Sequence, residues 1–551
     1  MRIFGSVIKG EVDESGNKRG FFPNMEKGIQ NPAALIAYGL KDQSNSVKFL
    51  LKNFPSRVPE RTPETRLVKD FIKYNGYPQI SKEELIDLDF AEFIISGVKE
   101  TSIACQEAVR IKKDMHKVFD DETTGLSYDQ RKDIILKLHD NMSKHYSIFK
   151  EISIAEGTPL KLFDWQFWNV TNALTKELAE FIGDRLAPKE IWCSKEGERT
   201  ILHRHPFGAV GVFPPYNAAL GLGFLAIFSS FIAGNATVTR APTRVPLTNI
   251  ELAYLLRDTV EELDFPLSAF QAVIGPGRSI SHYMVNESPL NAMVYYGDSD
   301  VGLKLMSKAV SRGMHFVPEL AGSGASLVWK DVDIDKVSDF ITHARFFGSG
   351  QICLAAKRLF LHEAIYDDFL TALVEKAEKL RPGLPSNPKT DLPLIGTRAL
   401  YQIIDMTKEA LIKGAKLLCG GYRMNYTGER DKAGLFYKPT VLSDVDLGCK
   451  VWYHETFGPL LPVMKIQNFD QAIKQANNSP YGLRTSVYSD DPAIWKRFFS
   501  EIEAPGVAIN TDHLHFDHFF PHLGGLKTSG VFGGKYFYEV LTYLKYRHLP
   551  V

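Results

Sequence analysis

The pattern of apolar and polar residues changes near Arg204. Before it, residues 127–156 carry apolar side chains at spacings of three and four, which predicts amphipathic helix. After it, helical patterns alternate with the short apolar runs GAVGVFPP, NATVTRAP and AFQAVIG, which indicate buried strands. Strands that are apolar throughout and alternate with helices are typical of a parallel sheet covered on both faces. The sequence therefore predicts an α/β fold.

The same alternation resumes after Gly322. The runs SLVWKD and RLFLHEAI predict strands, DDFLTALVEKAEKL predicts a long helix, and Asp333 is suited to cap the helix between them. We therefore expect two successive α/β layers with a boundary near Val317.

Residues 218–238 carry no charge over about the length that a bilayer requires. Glycines, a Ser-Ser pair and an asparagine interrupt the run, so a buried helix followed by a buried strand is the better interpretation.

The first residues lack a charged segment followed by an apolar run. No signal peptide is predicted, and a cytoplasmic location is expected.

Composition narrows the function classes. The chain has 551 residues, 44% hydrophobic and 24% charged, with 65 basic and 65 acidic side chains. This balance offers no overall field for nucleic acid or a membrane surface, so a small-molecule partner is expected. The five cysteines show no CxxC spacing, so neither a metal site nor a disulfide framework is predicted from them.

Three residues are candidates for chemistry, and each has a simpler alternative. Cys353, in FFGSGQICLAAKR, is a nucleophile or a packed thiol. Glu319, beside an apolar run, is a general base with a raised pKa or a surface carboxylate. Asn217, after a strand and Pro-Pro-Tyr, is an oxyanion donor or a turn residue. The local sequence leaves each choice open.

Seven short motifs, taken in order, resemble those of the aldehyde dehydrogenase superfamily. They are PPYN, AGNATVTRAP, YYGDS, ELAG, GQIC, ETFGP and LGGLKTSG. The resemblance extends from about residue 95 to the end. It implies two doubly wound parallel-sheet domains, a small β-hairpin oligomerisation element, and oxidation of an aldehyde to a carboxylic acid with NAD(P).

The resemblance also implies roles for individual residues. Cys353 would be the nucleophile, Glu319 the general base, and Asn217 with the Cys353 backbone N–H the oxyanion hole. Glu455 would hold the nicotinamide ribose, and Phe457 would pack near the ring. The full set implied for the cofactor is Phe213, Pro215, Tyr216, Arg240, Thr243, Arg278, Gly297, Asp298, Val301, Leu320, Glu455 and Phe457.

Several of these positions differ from the family pattern. Thr243 replaces the glutamate that binds the adenosine ribose in NAD-using members, and Arg278 is placed as in some NADP-preferring members. We therefore expect NADP, with NAD kept open. Asp298 replaces a serine that faces the pyrophosphate, Tyr216 replaces tryptophan, and Ala321 replaces glycine. A carboxylate at Asp298 would oppose the cofactor unless it caps the helix.

The substrate wall is expected in residues 510–525, which hold four histidines and three phenylalanines. An aromatic pocket wall is favoured over a metal site, because the histidine spacing matches no standard ligand pattern. With Leu354 beside the nucleophile, an apolar or aromatic aldehyde is expected. A CoA-acylating enzyme and a non-catalytic family member are the alternatives; both are disfavoured by the presence of Glu319 with Cys353.

The expected organisation has four parts. Residues 1–90 form an N-terminal extension of unclear role, 91–316 the dinucleotide-binding domain, 317–515 the catalytic domain, and 516–551 the substrate loop and C-terminal oligomerisation segment. A hairpin at about 187–206 resembles the oligomerisation hairpin of the family and would pair with TYLKYRHL; the resemblance implies a homodimer or homotetramer.

Overall fold

A computed structural model describes most of the chain. The described residues are 2–4, 6–8, 11–13, 19–30, 66, 70, 73–74, 89–94, 96–118, 126–514, 524–533 and 536–550.

The strands of these residues are, in chain order, β1 (Arg2–Phe4), β2 (Ser6–Ile8), β3 (Glu11–Asp13), β4 (Arg19–Pro23), β5 (Asp89–Ile94), β6 (Lys189–Cys193), β7 (Arg199–Pro206), β8 (Ala209–Phe213), β9 (Ala236–Arg240), β10 (Phe270–Val273), β11 (Ala292–Tyr296), β12 (His315–Glu319), β13 (Gly324–Val328), β14 (Ala356–His362), β15 (Lys416–Cys419), β16 (Arg423–Met424), β17 (Phe436–Tyr437), β18 (Thr440–Ser443), β19 (Leu460–Ile466), β20 (Tyr481–Gly482), β21 (Arg484–Tyr488), β22 (Gly506–Ile509), β23 (Leu526–Lys527) and β24 (Thr542–Leu549).

The α-helices are α1 (Met25–Gln30), α2 (Val98–Val118), α3 (Tyr128–Lys144), α4 (Tyr146–Ala155), α5 (Leu160–Ala173), α6 (Lys176–Leu186), α7 (Gly221–Ile232), α8 (Pro246–Glu261), α9 (Gly277–Asn286), α10 (Ser299–Ser311), α11 (Ile334–Phe346), α12 (Tyr366–Lys379), α13 (Thr397–Ile412), α14 (Phe469–Asn477), α15 (Pro492–Glu501) and α16 (Phe537–Val540).

The first large sheet has the order β12-β11-β8-β9-β10-β2-β3. From β12 to β10 the strands are parallel, and β2 adds antiparallel to β10. Every residue of β8 is buried, because α2 packs on one face of the sheet and α7 and α8 pack on the other. Apolar runs make good strands here since neither face meets water.

The second large sheet has the order β15-β18-β19-β14-β13-β21-β22. Its strands are parallel except for β15, and separate apolar clusters fill its two faces. Asp333 caps α11 by accepting a hydrogen bond from the Lys336 N–H at 3.1 Å, as the sequence predicts. The α/β prediction is confirmed.

The position expected for the domain boundary falls inside a strand. Val317 lies in the middle of β12, which belongs to the first sheet, and the second sheet begins with Gly324. The division into domains stays a prediction.

The charge-free stretch forms α7 and then β9, as interpreted from its turn residues. All of α7 except Leu222 is buried among the core residues of the first sheet. None of the described helices combines the length and the apolar character needed to cross a bilayer.

A third sheet has the order β24-β7-β6 and is antiparallel throughout. It forms the hairpin expected near 187–206 and its expected pairing with the C-terminal strand. Apolar side chains on it face solvent, among them Trp192 at 51% and Tyr546 at 65% exposure.

The N-terminal extension contacts the first large sheet and a later part of the chain. Its strand β2 pairs with β10, where Val7 faces Ala272. Ile29 of α1 packs with Leu392 and with Met424 of β16. The extension therefore contacts segments that are far apart in the sequence.

Candidate active site

The carboxyl ends of β8, β9, β11 and β12 open onto a single cleft of about 1000 Å³. Every residue for which the sequence predicts a catalytic or cofactor role lines this cleft, as does Ala321. Residues 515–523, which hold most of the predicted histidine-rich wall, lie outside the described residues, so the choice between an aromatic wall and a metal site stays a prediction.

Parallel-strand topology explains this convergence. Asn217 follows β8, Arg240 ends β9, Gly297 follows β11, and Glu319 ends β12. Because parallel strands bring their carboxyl ends to one edge, residues far apart in sequence meet there.

Cys353 follows a tightly wound segment before β14. Gly348, Ser349 and Gly350 have φ values of 60°, 56° and 67°, in the left-handed region that disfavours side chains. At Gly350 a Cβ would also lie 2.8 Å from the Arg345 carbonyl oxygen. Glycine is therefore required at that position.

The Cys353 thiol is held in its neutral form. Burial raises its pKa to about 12, and the Glu319 carboxylate contributes in the same direction, while the Lys357 ammonium acts against it. A nucleophile at this position needs a base or a cation to become thiolate.

Glu319 has the properties of a base that works near neutral pH. Burial raises its pKa to about 8, although its Oε2 accepts a hydrogen bond from the Gly524 N–H at 2.6 Å. Among the described residues its Oε1 has no hydrogen-bond partner. The glycine-rich C-terminal segment thus fixes one oxygen and leaves the other for a ligand or water.

Asn217 lies next to the backbone that leads into Cys353. Its Nδ2 donates to the Gln351 carbonyl at 2.9 Å. A side-chain amide has two N–H donors, so one is left for an oxyanion. The Asn217–Gln351 bond fixes the direction of that second donor.

Glu455 is held by Lys357, a residue that sequence reasoning did not select. The Lys357 ammonium donates to Glu455 Oε1, and the Gly322 N–H donates to the same oxygen at 3.1 Å. Lys357 also donates to the carbonyls of Gly322 and Cys353, at 2.8 and 3.2 Å. Gly322 and Glu455 are 35 and 98 residues away from it in the chain, so no local pattern reveals these two partners.

Hydrogen bonds from Arg345 hold the loop that carries Phe457. This fully buried guanidinium donates through Nη2 to the carbonyls of Thr456 and Gly458. Burial lowers its pKa to about 9, and the nearby Glu455 raises it. The ring of Phe457 packs edge-on against Tyr216, with centroids 6.1 Å apart.

Arginines gather at the far end of the cleft. Arg240 donates through Nη2 to Thr243 Oγ1 at 2.6 Å and to the Gly275 carbonyl at 2.7 Å. Its Nε is buried and has no partner within the described chain. Arg244 lies over the Tyr216 ring at 4.4 Å, and Arg278 is exposed at the rim. The charge and length of the cleft fit a dinucleotide with anionic phosphates.

Asp298 caps α10, as expected if it turns away from the cofactor. Its Oδ1 accepts from the Val301 N–H at 3.2 Å, and its Oδ2 lies 3.6 Å from Arg398 Nη2. Arg398 is another residue that the sequence analysis missed. It partly offsets a carboxylate that would otherwise repel phosphate.

A third missed residue is Tyr296, directly before Gly297. Its hydroxyl is buried in the cleft and has no hydrogen-bond partner among the described residues. Burial raises its pKa well above the ordinary value, and Glu319 and Cys353 contribute in the same direction.

Aromatic residues pack around Phe347, six residues before Cys353 in the chain. Trp165 of α5 packs edge-on against Phe347, with centroids 5.8 Å apart, and His343 lies 4.7 Å from the same ring. His343 Nδ1 is 2.6 Å from Asp512 Oδ2. A separate small cavity of about 50 Å³ is lined by Asn217 and Ile352, among other residues.

His513 has a structural position. It is fully buried, and its Nδ1 lies 2.9 Å from Ser486 Oγ. Burial lowers its pKa to about 3, with Arg484 acting in the same direction, so the ring is neutral at physiological pH. Among the described residues no group of three or more His, Cys, Asp or Glu side chains could hold a metal ion.

Comparisons with known proteins agree with this geometry. A family model described as "Aldehyde dehydrogenase family" matches residues 95–548. The 3,6-anhydro-alpha-L-galactose dehydrogenase of Vibrio sp. (strain EJY3) is 30% identical over 345 residues, 62% of this chain and 70% of the relative. The 3-sulfolactaldehyde dehydrogenase of Priestia aryabhattai is 29% identical over 419 residues, 75% of this chain and 84% of the relative.

A similar solved structure is the glyceraldehyde-3-phosphate dehydrogenase of Methanocaldococcus jannaschii complexed with NADP. It has a TM-score of 0.74 and 25% identity, and the match covers 84% of this chain and 96% of that one.

Proposed function

The chain belongs to the aldehyde dehydrogenase family, and on this premise we propose that Cys353, Glu319 and Asn217 oxidise an aldehyde to a carboxylic acid with NAD(P). The observation that carries the proposal is the meeting of a thiol, a carboxyl with a pKa of about 8 and an amide donor in one cleft. A cleft with cationic side chains at one end supports a bound dinucleotide.

Covalent catalysis starts at Cys353. Its proton passes to a base, for which the free Oε1 of Glu319 is suited, and the sulfur attacks the aldehyde carbon. The carbonyl π pair moves to oxygen, and the oxyanion is stabilised by the second Asn217 N–H and the Cys353 N–H. The intermediate is a thiohemiacetal.

Oxidation and hydrolysis follow. A nicotinamide held by Glu455 and Phe457 would supply the acceptor for the hydride of the former aldehyde carbon, which would leave a thioester on Cys353. Glu319, after releasing the thiol proton to solvent, takes a proton from water as the new C–O bond forms. The C–S bond breaks with its electron pair returning to Cys353, and the thiolate takes the proton back from Glu319. One aldehyde, one NAD(P)+ and one water give one acid, one NAD(P)H and one proton.

The proposed cofactor residues divide the cleft into two ends. Glu455 and Phe457 hold the nicotinamide ribose and ring, near Leu320. Arg240, Thr243 and Arg278 hold the adenosine end, with Phe213, Pro215, Tyr216, Gly297, Asp298 and Val301 between the two ends. Since Thr243 presents no carboxylate to a 2′-phosphate, NADP is the proposed preference.

The proposed substrate is an apolar or aromatic aldehyde. The contact between Trp165 and Phe347, which stands six residues before the nucleophile in the chain, and the adjacent Leu354 support this class. Relatives named for lactaldehyde and 3-sulfolactaldehyde define the competing class, small hydroxylated aldehydes.

An aldehyde panel run with NAD and NADP in parallel tests both proposals. We expect kcat/KM to be highest for benzaldehyde-type substrates with NADP. A panel in which lactaldehyde or charged semialdehydes are the best substrates would refute the proposed substrate class.

The nucleophile and the fate of the thioester need a separate experiment. Cys353→Ala should abolish cofactor reduction, whereas Cys193→Ala, on the exposed hairpin, should leave it unchanged. Full activity of Cys353→Ala would refute the proposal. An acyl-CoA product that requires added CoA would identify a CoA-acylating enzyme instead of the hydrolytic one.

We also propose a cytoplasmic homo-oligomer assembled through the β24-β7-β6 sheet. The exposed apolar side chains of this sheet support that assembly.

A further inference from the structure

Lys357 is a lysine with no exposed side-chain surface. Taking an ammonium out of water is costly unless charge and hydrogen bonds compensate it. Here its three donors are directed to the Glu455 carboxylate and to the carbonyls of Gly322 and Cys353. The three N–H bonds of the ammonium therefore all have acceptors.

Those acceptors belong to three different parts of the proposed machinery. Gly322 lies three residues after Glu319, Cys353 carries the thiol, and Glu455 lies on the cofactor side of the cleft. The Gly322 N–H donates to the same carboxylate oxygen as Lys357, which closes the network. A Cβ at Gly322 would lie 2.6 Å from the Cys353 carbonyl oxygen, so this close approach depends on glycine.

We infer that Lys357 is a positioning residue that fixes the Glu455 carboxylate against the nucleophile loop and favours the Cys353 thiolate by its charge. The inference rests on the proposed role of Cys353 as the nucleophile. Glu455 Oε1 is bound within the protein, which directs the second oxygen of the same carboxylate to a ribose hydroxyl.

The charged groups around the Cys353 thiol shift its pKa in opposite directions. Lys357 lowers the pKa of Cys353, whereas Glu319 and Glu455 raise it. The other titratable groups in reach of this pair are Tyr296, Arg345 and His513. Removal of the cation therefore makes the thiol less acidic, and removal of the Glu455 charge makes it more acidic.

Alkylation of Cys353 by iodoacetamide measures this effect without turnover. At a pH below the pKa of the thiol, a rise of about one unit in that pKa lowers the thiolate fraction about tenfold. The same rise makes the thiolate itself about threefold more nucleophilic. We expect Lys357→Met to slow alkylation at pH 8 about threefold. Glu455→Gln should accelerate it by a similar factor. Mass spectrometry of the Cys353 peptide separates it from the exposed Cys193.

Lys357→Met leaves Glu455 without its buried partner, so the double variant Lys357→Met/Glu455→Gln is included. It should react about threefold more slowly than Glu455→Gln alone. Lys308→Met, at an exposed position on α10, should react like the unaltered protein. Binding of NADP, followed by isothermal titration, should weaken about tenfold in Lys357→Met as the carboxylate loses its fixed position.

The results separate the two proposals. Unchanged alkylation in both the single and the double variant, or effects of the same sign for Lys357→Met and Glu455→Gln, would overturn the role of Lys357. Loss of activity in Cys353→Ala alongside either result would leave the proposed function standing. Full activity of Cys353→Ala would instead refute the proposed function itself.

Discussion

Glu319 is the residue whose environment most directly sets a pH dependence. Its pKa of about 8 means that the base form is incomplete at neutral pH and increases as the pH rises. We expect the hydrolytic step, and kcat where that step is limiting, to increase with a midpoint near pH 8 and to level off above about pH 9. A stopped-flow pH series of the phase after the first turnover measures it.

The substitution Glu319→Gln tests whether Glu319 is the general base. The amide can take a proton neither from the Cys353 thiol nor from water, so the first equivalent of reduced cofactor should form more slowly, and the turnover after it should be slower by roughly a hundredfold or more. A variant that turns over at the original rate with the original pH profile would show that another group is the base.

Thr243 determines which cofactor charge the adenosine end tolerates. Thr243→Glu places a carboxylate beside Arg240 and opposes a 2′-phosphate, so kcat/KM for NADP should fall by about tenfold or more while that for NAD is kept or improved. Ser307→Glu, at an exposed position on α10, is the charge-matched control. An equal loss with both cofactors would contradict the assignment.

For single residues, the sequence predicts functional roles from the chemical type of the side chain and from resemblance to family motifs. It found Cys353, Glu319 and Asn217, which the fold brings to one cleft. It did not find Lys357 or Arg398, because their carboxylate partners, Glu455 and Asp298, lie on other elements. Electrostatic networks of this kind depend on tertiary contact and leave no periodic signal.

At the scale of elements, the buried strands and their helices follow from apolar runs. The sequence predicted α7 with β9 and the caps Asp298 and Asp333, because burial on both faces and capping chemistry are local properties. The extent of β12 escaped prediction. Its last residue, Glu319, is a buried carboxyl, which a hydropathy pattern assigns to the surface.

Helix α13 connects the N-terminal extension to the cleft. Asp70 accepts from the Tyr401 hydroxyl at 2.7 Å and from Arg423 Nη1 at 2.9 Å. The first turn of α13 lines the cleft, and Gln402 donates to the Glu455 carbonyl at 3.2 Å. The extension therefore supports one wall of the cofactor site through this helix.

Asp70→Ala should destabilise the protein by about 2 kcal/mol, because it leaves a partly buried guanidinium and hydroxyl without their acceptor. The free energy of unfolding in urea measures the loss. Asp405→Ala is the control, since it removes an exposed ion pair with Arg66. It should lower the free energy of unfolding by less than about 0.5 kcal/mol. Equal effects of the two variants would exclude a special role for Asp70.

At the scale of the whole molecule, the hairpin sheet presents apolar side chains that a monomer leaves in water. Trp192→Glu with Leu544→Glu should reduce the assembled mass measured by light scattering, since charge in a buried interface is costly. Ile412→Glu, at a position 86% exposed on α13, should have no such effect. A mass unchanged in the hairpin variant would place the interface elsewhere.

The contacts of the extension also constrain the order of folding. Val7 pairs with Ala272, and Asp70 bonds to Arg423, 353 residues later in the chain. Closing such long loops costs entropy before any contact compensates it, so these pairings form late. Val7 and Asp70 are thus among the last residues to dock. In refolding, the cofactor site should gain its full affinity only in that final, slow phase.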